Sequence, residues 1–433
     1  MNSQLYFSTK NHWVNSSKYD GLLFIGNTNS FLRLSPLYKE LIDNKKFDDL
    51  PKELYEELIR TGALTQSDEQ LFSKYQLLSM KKNNSAYMDF WINIADCCNF
   101  ECSYCFQGKE KGTKIISTKI LDKFVQSLST YKNLKFLRIN FAGGEPLLAT
   151  DKIIYLYKKI KENITAKLEF AIITNGYLLT DENIKKLDMI ENLLYQVTID
   201  GLGETHNKKR PHKTDKDSFN VIMHNLNYFY ETHKNQNISF TIRTNVDKET
   251  AKTVSSLYHL LKSNYGDFYN YQISPVEEYS KNICVSNVFT NEEYADFLID
   301  LYEKEGIYLP LSYFPRYYST GGFCQADRNY SFALTSTGDL LKCPMDVGKP
   351  ERVVKNILTP TSTYNFQPEY DYLIKCSPYS NEKCKHCKLF YQCLGGCPHR
   401  RLEGFSNCPP PYYRLDKFLE ICYENMSTKV NKK

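Results

Sequence analysis

Between residues 88 and 306, short runs rich in β-branched and aromatic residues alternate with stretches in which apolar side chains recur every three to four positions. The β-type runs are FWINIA (90–95), LKFLRINFAG (134–143), LEFAIITNG (168–176), YQVTIDG (195–201), ISFTIRTNV (238–246) and FYNYQISPV (268–276). Between them Ser117 to Thr130, Ser218 to His233 and Lys248 to Asn264 read as amphipathic helices, and Thr290 with Glu293 forms a capping box ahead of a further one. Six successive strand–helix units predict an α/β fold, a partial (β/α)6 TIM-like barrel that stops short of a closed one.

The rhythm changes on either side of the barrel. Residues 1–85 predict a small α+β domain: YDGLLFIGNTNSFLRLS has a hairpin pattern around Gly26 to Ser30, PLYKELIDN and PKELYEELIRTGAL read as helices, and the polar linker KKNNS follows. Residues 86–306 hold the barrel. Residues 307–433 lose the strand–helix alternation and predict a loop-rich domain organised around cysteine clusters.

Composition narrows the setting. The chain has 433 residues, 42% hydrophobic and 24% charged, which predicts a globular protein with more than one core. It has no run of eighteen apolar residues and no basic-then-apolar start, so a cytoplasmic protein without a membrane partner is expected. The net charge of +5 is spread over 55 basic and 50 acidic residues with no basic stripe, which argues against nucleic acid. Fourteen cysteines at short spacings in a reducing compartment are poor disulfide candidates and good metal ligands.

Chemistry in such barrels sits at the C-terminal strand ends. Those ends carry Cys97, Cys98, Cys102 and Cys105, then Gly143, Gly144 and Glu145, then Thr174, Asn175 and Gly176, then Thr198 and Asp200, Arg243 and Asn245, and Ser274. Singly, a glycine pair is more often a turn and a strand-end Asp more often a helix cap. Their shared position is the signal. Cys98, Cys102 and Cys105 form CxxxCxxC, three thiolates that would leave one iron of a [4Fe-4S] cluster open, whereas structural zinc needs a fourth ligand. Cys97 could supply one, but adjacent cysteines seldom turn both sulfurs to one ion.

This CxxxCxxC, with Tyr104 before its last cysteine, resembles the radical SAM superfamily, and the resemblance spans the whole barrel. It implies a cluster on Cys98, Cys102 and Cys105 whose open iron chelates S-adenosylmethionine, with Gly143, Gly144 and Glu145 at the methionine amino group and Thr198 as a further cofactor contact. Tyr104, Asn175 and Arg243 complete the expected cofactor site. One departure is HNKKR (206–210), where related peptide-modifying enzymes often have His-Asp-x-x-Arg; Asn207 is expected to replace the Asp as a helix cap, and His206 to be a hydrogen-bonded loop histidine.

Farther on, Cys324, Gly338 and Cys343, then Cys384, Cys387, Cys393 and Cys397, then Cys408 read CX13GX4C, gap, CX2CX5CX3C, gap, C. This resembles the SPASM extension with two auxiliary [4Fe-4S] clusters, three clusters in all; a zinc ribbon explains the CxxC but not its continuation. By resemblance Cys384, Cys387, Cys393 and Cys408 bind the distal cluster, and Cys324, Cys343 and Cys397 the proximal one, whose fourth position is Cys376 or open. Cys422 is the alternative to Cys408.

SPASM enzymes largely modify peptides or proteins. The N-terminal hairpin and helices look like those of ribosomal-peptide maturases, which implies a precursor peptide as substrate and a reductase or flavodoxin-like electron donor. A leader peptide would add to a free hairpin edge, at Phe24 or Leu32, unless the region serves packing alone. The expected reaction is hydrogen abstraction that leads to a thioether or carbon–carbon crosslink. The alternatives are an anaerobic sulfatase-maturating enzyme that forms formylglycine and, in another class, a non-catalytic iron–sulfur protein. Sulfatase maturases tend to carry Asp directly after the cysteine aligned with Cys343, where this chain has Pro344 and reaches Asp346 later.

Overall fold

The computed structural model describes residues 5–67, 75–77, 79–80, 82–108, 112–278, 286–310, 324–360, 363–405 and 407–430. The six expected barrel strands are β6 (Tyr87–Ala95), β7 (Phe136–Gly143), β8 (Lys167–Thr174), β9 (Leu193–Thr198), β10 (Phe240–Val246) and β11 (Asn270–Pro275). They pair in parallel, each with its neighbour in sequence, as strand–helix–strand crossovers require. The helix Thr118–Leu128 shows how the crossovers form. Ser117 caps it by accepting from the Ile120 amide, and Ile120, Leu121, Phe124, Val125 and Leu128 give it one buried face. The Thr290–Glu293 capping box is present ahead of the helix Asn291–Glu305.

The sheet does not stop at the first barrel strand. A hairpin of β12 (Phe332–Leu334) and β13 (Asp339–Leu341), followed by β14 (Val353–Asn356), extends it to nine strands in the order β11-β10-β9-β8-β7-β6-β12-β13-β14. β12 lies parallel to β6, with Phe332, Ala333 and Leu334 opposite Phe90, Trp91 and Ile92. Leu334 and Leu340 join the same hydrophobic core as Ile92, Phe141 and Phe170. The barrel and the cysteine-rich segment therefore share one sheet and one core.

The N-terminal segment forms β1 (Tyr6–Phe7) paired with β5 (Leu64–Thr65), and an antiparallel sheet β2-β3-β4 of Asn11–Trp13, Leu22–Ile25 and Ser30–Arg33. The two expected helices are Pro36–Asp43 and Lys52–Arg60. β3 is the central strand, so Phe24 pairs with His12 on one side and Phe31 on the other and presents no free edge; that part of the sequence expectation is corrected, and Leu32 on the outer strand β4 remains. All four β3 side chains are buried because both faces are covered. Leu23 and Ile25 pack with Leu50 and Leu58, while Leu22 and Phe24 pack with Leu389 and Leu419 of the cysteine-rich segment. Among the described residues no helix is long and apolar enough to cross a membrane.

Candidate active site

A cavity of about 340 Å³ opens at the C-terminal ends of the barrel strands. Cys98, Cys102 and Cys105 line it together with Tyr104, and Gly143, Gly144, Asn175, Thr198 and Arg243 line it from four successive strands. The thiol loop is held from outside by segment 209–213: Glu101 and Ser103 donate backbone N–H bonds to the Pro211 and Lys209 carbonyls, and buried Phe100 meets the Tyr177 and His212 rings edge-on. Cys97 is not on the cavity wall; its carbonyl accepts the Glu145 amide at 2.9 Å.

Close approach explains the glycine pair. A Cβ at Gly144 would stand 2.1 Å from the Cys97 carbonyl oxygen, and one at Gly143, whose φ is +128°, would stand 1.9 Å from Asn93 Oδ1. Only glycine lets the β7 loop lie this near the thiol loop.

Glu145 sits differently from the other expected cofactor contacts. It is fully buried and absent from the cavity wall. Its Oε1 accepts from the Leu147 amide at 3.0 Å and the Thr174 hydroxyl at 2.6 Å, and its Oε2 accepts from the Asn175 amide at 2.8 Å. Burial pushes its carboxyl above the usual carboxylate range, and these three donors oppose the shift. The carboxylate braces the turn after β8, and Asn175 Nδ2 in turn donates to Asn99 Oδ1 at 2.8 Å on the thiol loop.

A second set of polar groups crosses under Tyr104. Its hydroxyl donates to Asp200 Oδ2 and accepts from Arg210 Nη1 and, at 3.0 Å, from Asn245 Nδ2. Arg210 Nη1 lies 3.3 Å from Asp200, whose Oδ1 accepts the Asn245 amide at 2.6 Å. Tyr104 is thereby fixed by three barrel elements. Buried His206 accepts the Asp200 amide on Nδ1 at 3.1 Å, and burial followed by the Arg210 charge pushes its pKa down to about 3. It is a neutral hydrogen-bonding histidine. Asn207 is a cap: its Oδ1 accepts from the Phe219 amide at 2.9 Å at the start of the helix Ser218–His233.

The cavity wall also includes residues that strand-end reasoning passed over. Trp91, Asn93 and Gln196 reach it from inside the barrel, and Glu277 lies one residue beyond the sixth run. Ala333, Leu334, Pro344, Met345 and Val347 close it from the cysteine-rich segment. No strand pattern could have signalled these last five, because β12, which carries Ala333 and Leu334, is only three residues long and the other three lie in a short turn. Asp346 points elsewhere. It is buried, accepts the Tyr372 hydroxyl at 2.7 Å and lies 3.3 Å from His399 Nδ1.

Eight more of the described thiols gather in two places. Cys384, Cys387, Cys393 and Cys408 line a second cavity of about 410 Å³, and Cys376 shares that wall. Asn381 caps the first turn there by accepting the Cys384 amide at 3.0 Å, and Leu394, Gly395 and Gly396 turn the chain with positive φ. Asn407 ties the far side by donating to the Gly395 and Cys397 carbonyls. Cys324, Cys343 and Cys397 form a third group. Burial pushes the Cys343 thiol up, and Asp346, Cys324 and Cys397 add to the shift. Cys422 lies apart from all three groups, buried in the helix Leu415–Val430. Thiols crowded and buried in this way suit soft-metal binding, because an iron–sulfur cluster supplies the positive charge that lets each ionise.

Residues 92–261 match the model of the radical SAM superfamily. A cysteine-type anaerobic sulfatase-maturating enzyme of Clostridium novyi is 25% identical over 365 residues, which cover 76% of this chain and 92% of that protein. Among solved structures, native anSMEcpe with bound AdoMet superposes with a TM-score of 0.63 at 22% identity, over 80% of this chain and all of that one. Streptococcus suis SuiB bound to precursor peptide SuiA gives 0.54 at 16% identity over 95% of this chain and 98% of that one. The radical SAM family works with S-adenosylmethionine and a [4Fe-4S] cluster, and a donor set of three thiols facing a cavity fits that pair. Residues 92–261 are thus a radical SAM domain, in a chain whose later cysteines follow a SPASM-type pattern and whose homologues include anaerobic sulfatase maturases.

Proposed function

We propose that this chain is a radical SAM/SPASM peptide maturase that abstracts hydrogen from a residue of a ribosomally made precursor and joins that residue to another as a thioether or carbon–carbon crosslink. The carrying observation is the cavity itself: Cys98, Cys102 and Cys105 share its lining with Pro344, Met345 and Val347, while Asp346 is turned into a buried contact with Tyr372. Those three side chains suit an apolar substrate group, and the Asp346 carboxylate near Cys343 is held by Tyr372 instead of lining the cavity.

In this reading Cys98, Cys102 and Cys105 hold the catalytic cluster, Cys384, Cys387, Cys393 and Cys408 the distal one, and Cys324, Cys343 and Cys397 the proximal one. When bound, the catalytic cluster and S-adenosylmethionine supply a hydrogen-abstracting 5'-deoxyadenosyl radical. The chain's own residues do the rest. Gly143 and Gly144 bring backbone close to the cofactor, Thr198, Asn175 and Arg243 present polar groups to it, and Tyr104 is held rigid by Asp200 and Arg210. Glu145 acts through Asn175 as a positioning residue. Ala333 and Leu334, on the strand beside β6, exclude water from the cavity wall. The substrate is a peptide, and a reductase or flavodoxin-like protein donates the electrons.

Kinship with sulfatase maturases supports a second reading, oxidation of a Cys or Ser to formylglycine. The full chain, reconstituted anaerobically to about 12 iron atoms, separates the two when given a small precursor encoded beside its gene and, separately, a sulfatase peptide. Loss of two hydrogens from the precursor with all sulfur retained and no aldehyde supports the maturase. A hydrazide-reactive aldehyde on the sulfatase peptide alone overturns it in favour of the second reading.

A further inference from the structure

The N-terminal sheet meets the cysteine-rich segment through a buried cation. Lys10, 5% exposed, precedes β2. Its ammonium donates to the Cys387 carbonyl at 3.1 Å and to the Lys385 carbonyl, and stands 5.4 Å from the centre of the Phe390 ring. These three groups belong to the stretch that carries Cys384, Cys387 and Cys393 around the second cavity. Two further contacts fix the join. Gln392 Nε2 donates to the Gly26 carbonyl at 2.7 Å, and a Cβ at Gly26 would lie 2.5 Å from the Lys388 carbonyl oxygen, so the hairpin tip touches the thiol loop backbone to backbone.

We propose that Lys10 is a positioning and charge-compensating residue for the iron–sulfur cluster assigned above to Cys384, Cys387, Cys393 and Cys408. It holds the Cys387 loop through two hydrogen bonds, and its fixed positive charge sets the ease with which that cluster is reduced. The inference rests on that ligand assignment. A cluster bound by four thiolates is net negative and gains another negative charge on reduction, so a nearby cation stabilises the reduced form more than the oxidised one. An ammonium in a poorly solvated position acts with little screening.

The test uses the full chain, reconstituted with iron and sulfide, in a Cys98→Ala/Cys102→Ala/Cys105→Ala background that silences the barrel-mouth site. Reduction is followed by EPR during potentiometric titration, and the distal transition is the one that Cys387→Ala removes. Lys10→Met and Lys10→Gln are expected to keep parental iron and to be harder to reduce by about tenfold in the one-electron equilibrium, which is about 59 mV. Lys10→Arg should keep the parental midpoint. So should Gln392→Leu, which cuts the neighbouring contact without changing charge. Unchanged midpoints in both neutral variants at full iron, or an equal shift in Gln392→Leu, overturn the role. Selective loss of about four iron atoms from both neutral variants, with Lys10→Arg intact, supports it, since the charge is then needed to hold the cluster at all. The same loss from Lys10→Arg shows packing alone and overturns it. The parent's iron content reports separately on the ligand assignment, and a parent without iron overturns both.

Discussion

Glu145 accepts the backbone N–H of Asn175 at 2.8 Å and is closed off from the cavity that Asn175 lines. Cavity lining and support are thus divided between two residues 30 positions apart. Glu145→Ala leaves the Leu147 and Asn175 amides and the Thr174 hydroxyl without their acceptor. A stability loss of about 1–3 kcal/mol is expected, read by thermal denaturation, together with weaker S-adenosylmethionine binding in equilibrium dialysis. Weaker binding at unchanged stability would show instead that the carboxylate meets the cofactor directly.

Gly144→Ala tests the approach of the two loops. Its new methyl would collide with the Cys97 carbonyl oxygen, which cannot yield without moving Cys98. About a third of the bound iron and all reductive cleavage of S-adenosylmethionine should be lost, with the visible absorption of the other clusters retained. Full iron and normal cleavage would show that the thiol loop is free to shift.

Cys387→Ala should spare cofactor cleavage and stop formation of modified peptide, as read by deoxyadenosine release and by mass spectrometry of the peptide. Complete modification by this variant would make the second thiol cavity dispensable for turnover.

His206 gives a pH prediction. The unfolded chain takes up a proton on this residue near its ordinary value of 6.5, the folded chain only near 3. Its folded pKa is depressed, so its contribution is present above about 6.5 and is lost as pH falls toward 3, by at most about 1.4 kcal/mol per pH unit. His206→Gln, which can still accept the Asp200 amide, should flatten the profile in urea titrations over roughly pH 7.5 to 4.5, which covers the upper part of the window between the two values. Parallel profiles for the two proteins would mean that His206 takes up its proton in the folded state.

Phe24→Ala should cost about 3–5 kcal/mol, because Phe24 is fully buried between Phe31 and the cysteine-rich segment. Limited proteolysis should then cut near residues 384–393 as readily as in the N-terminal sheet. Cuts confined to the N-terminal sheet would show that the two regions do not support one another.

Much of this was legible in the chain because period and spacing are local properties. The six barrel strands follow from runs such as LEFAIITNG, and the cysteines can be counted off at intervals that survive any arrangement of the loops. Asn207 as a cap could be foreseen because capping needs only a short polar side chain near a helix start. Direction was not legible. Whether the Glu145 carboxylate turns toward the cavity or toward Thr174 depends on a bend of a few residues, and no periodicity encodes it. Nor could β12 be read: three residues carry no period, and their pairing with β6 spans more than 240 positions, as the bond from the Asp89 amide to Ser331 Oγ shows. The covering of β3 on both faces explains why LLFI is uniformly apolar, yet that run fits a buried strand in many settings.

The parallel pairing of β12 with β6 also orders events in time. A ribosome delivers the barrel strands well before residues 332–334, so a nascent barrel waits with the β6 edge and the Leu334 side of its core uncovered. Cells that make this protein quickly should accumulate barrel intermediates that stick to one another, and slower translation or a holdase should raise the yield. The late arrival of that strand also delays closure of the cavity until residues 333–347 have emerged, so the reactive chamber is sealed only after the barrel strands have formed.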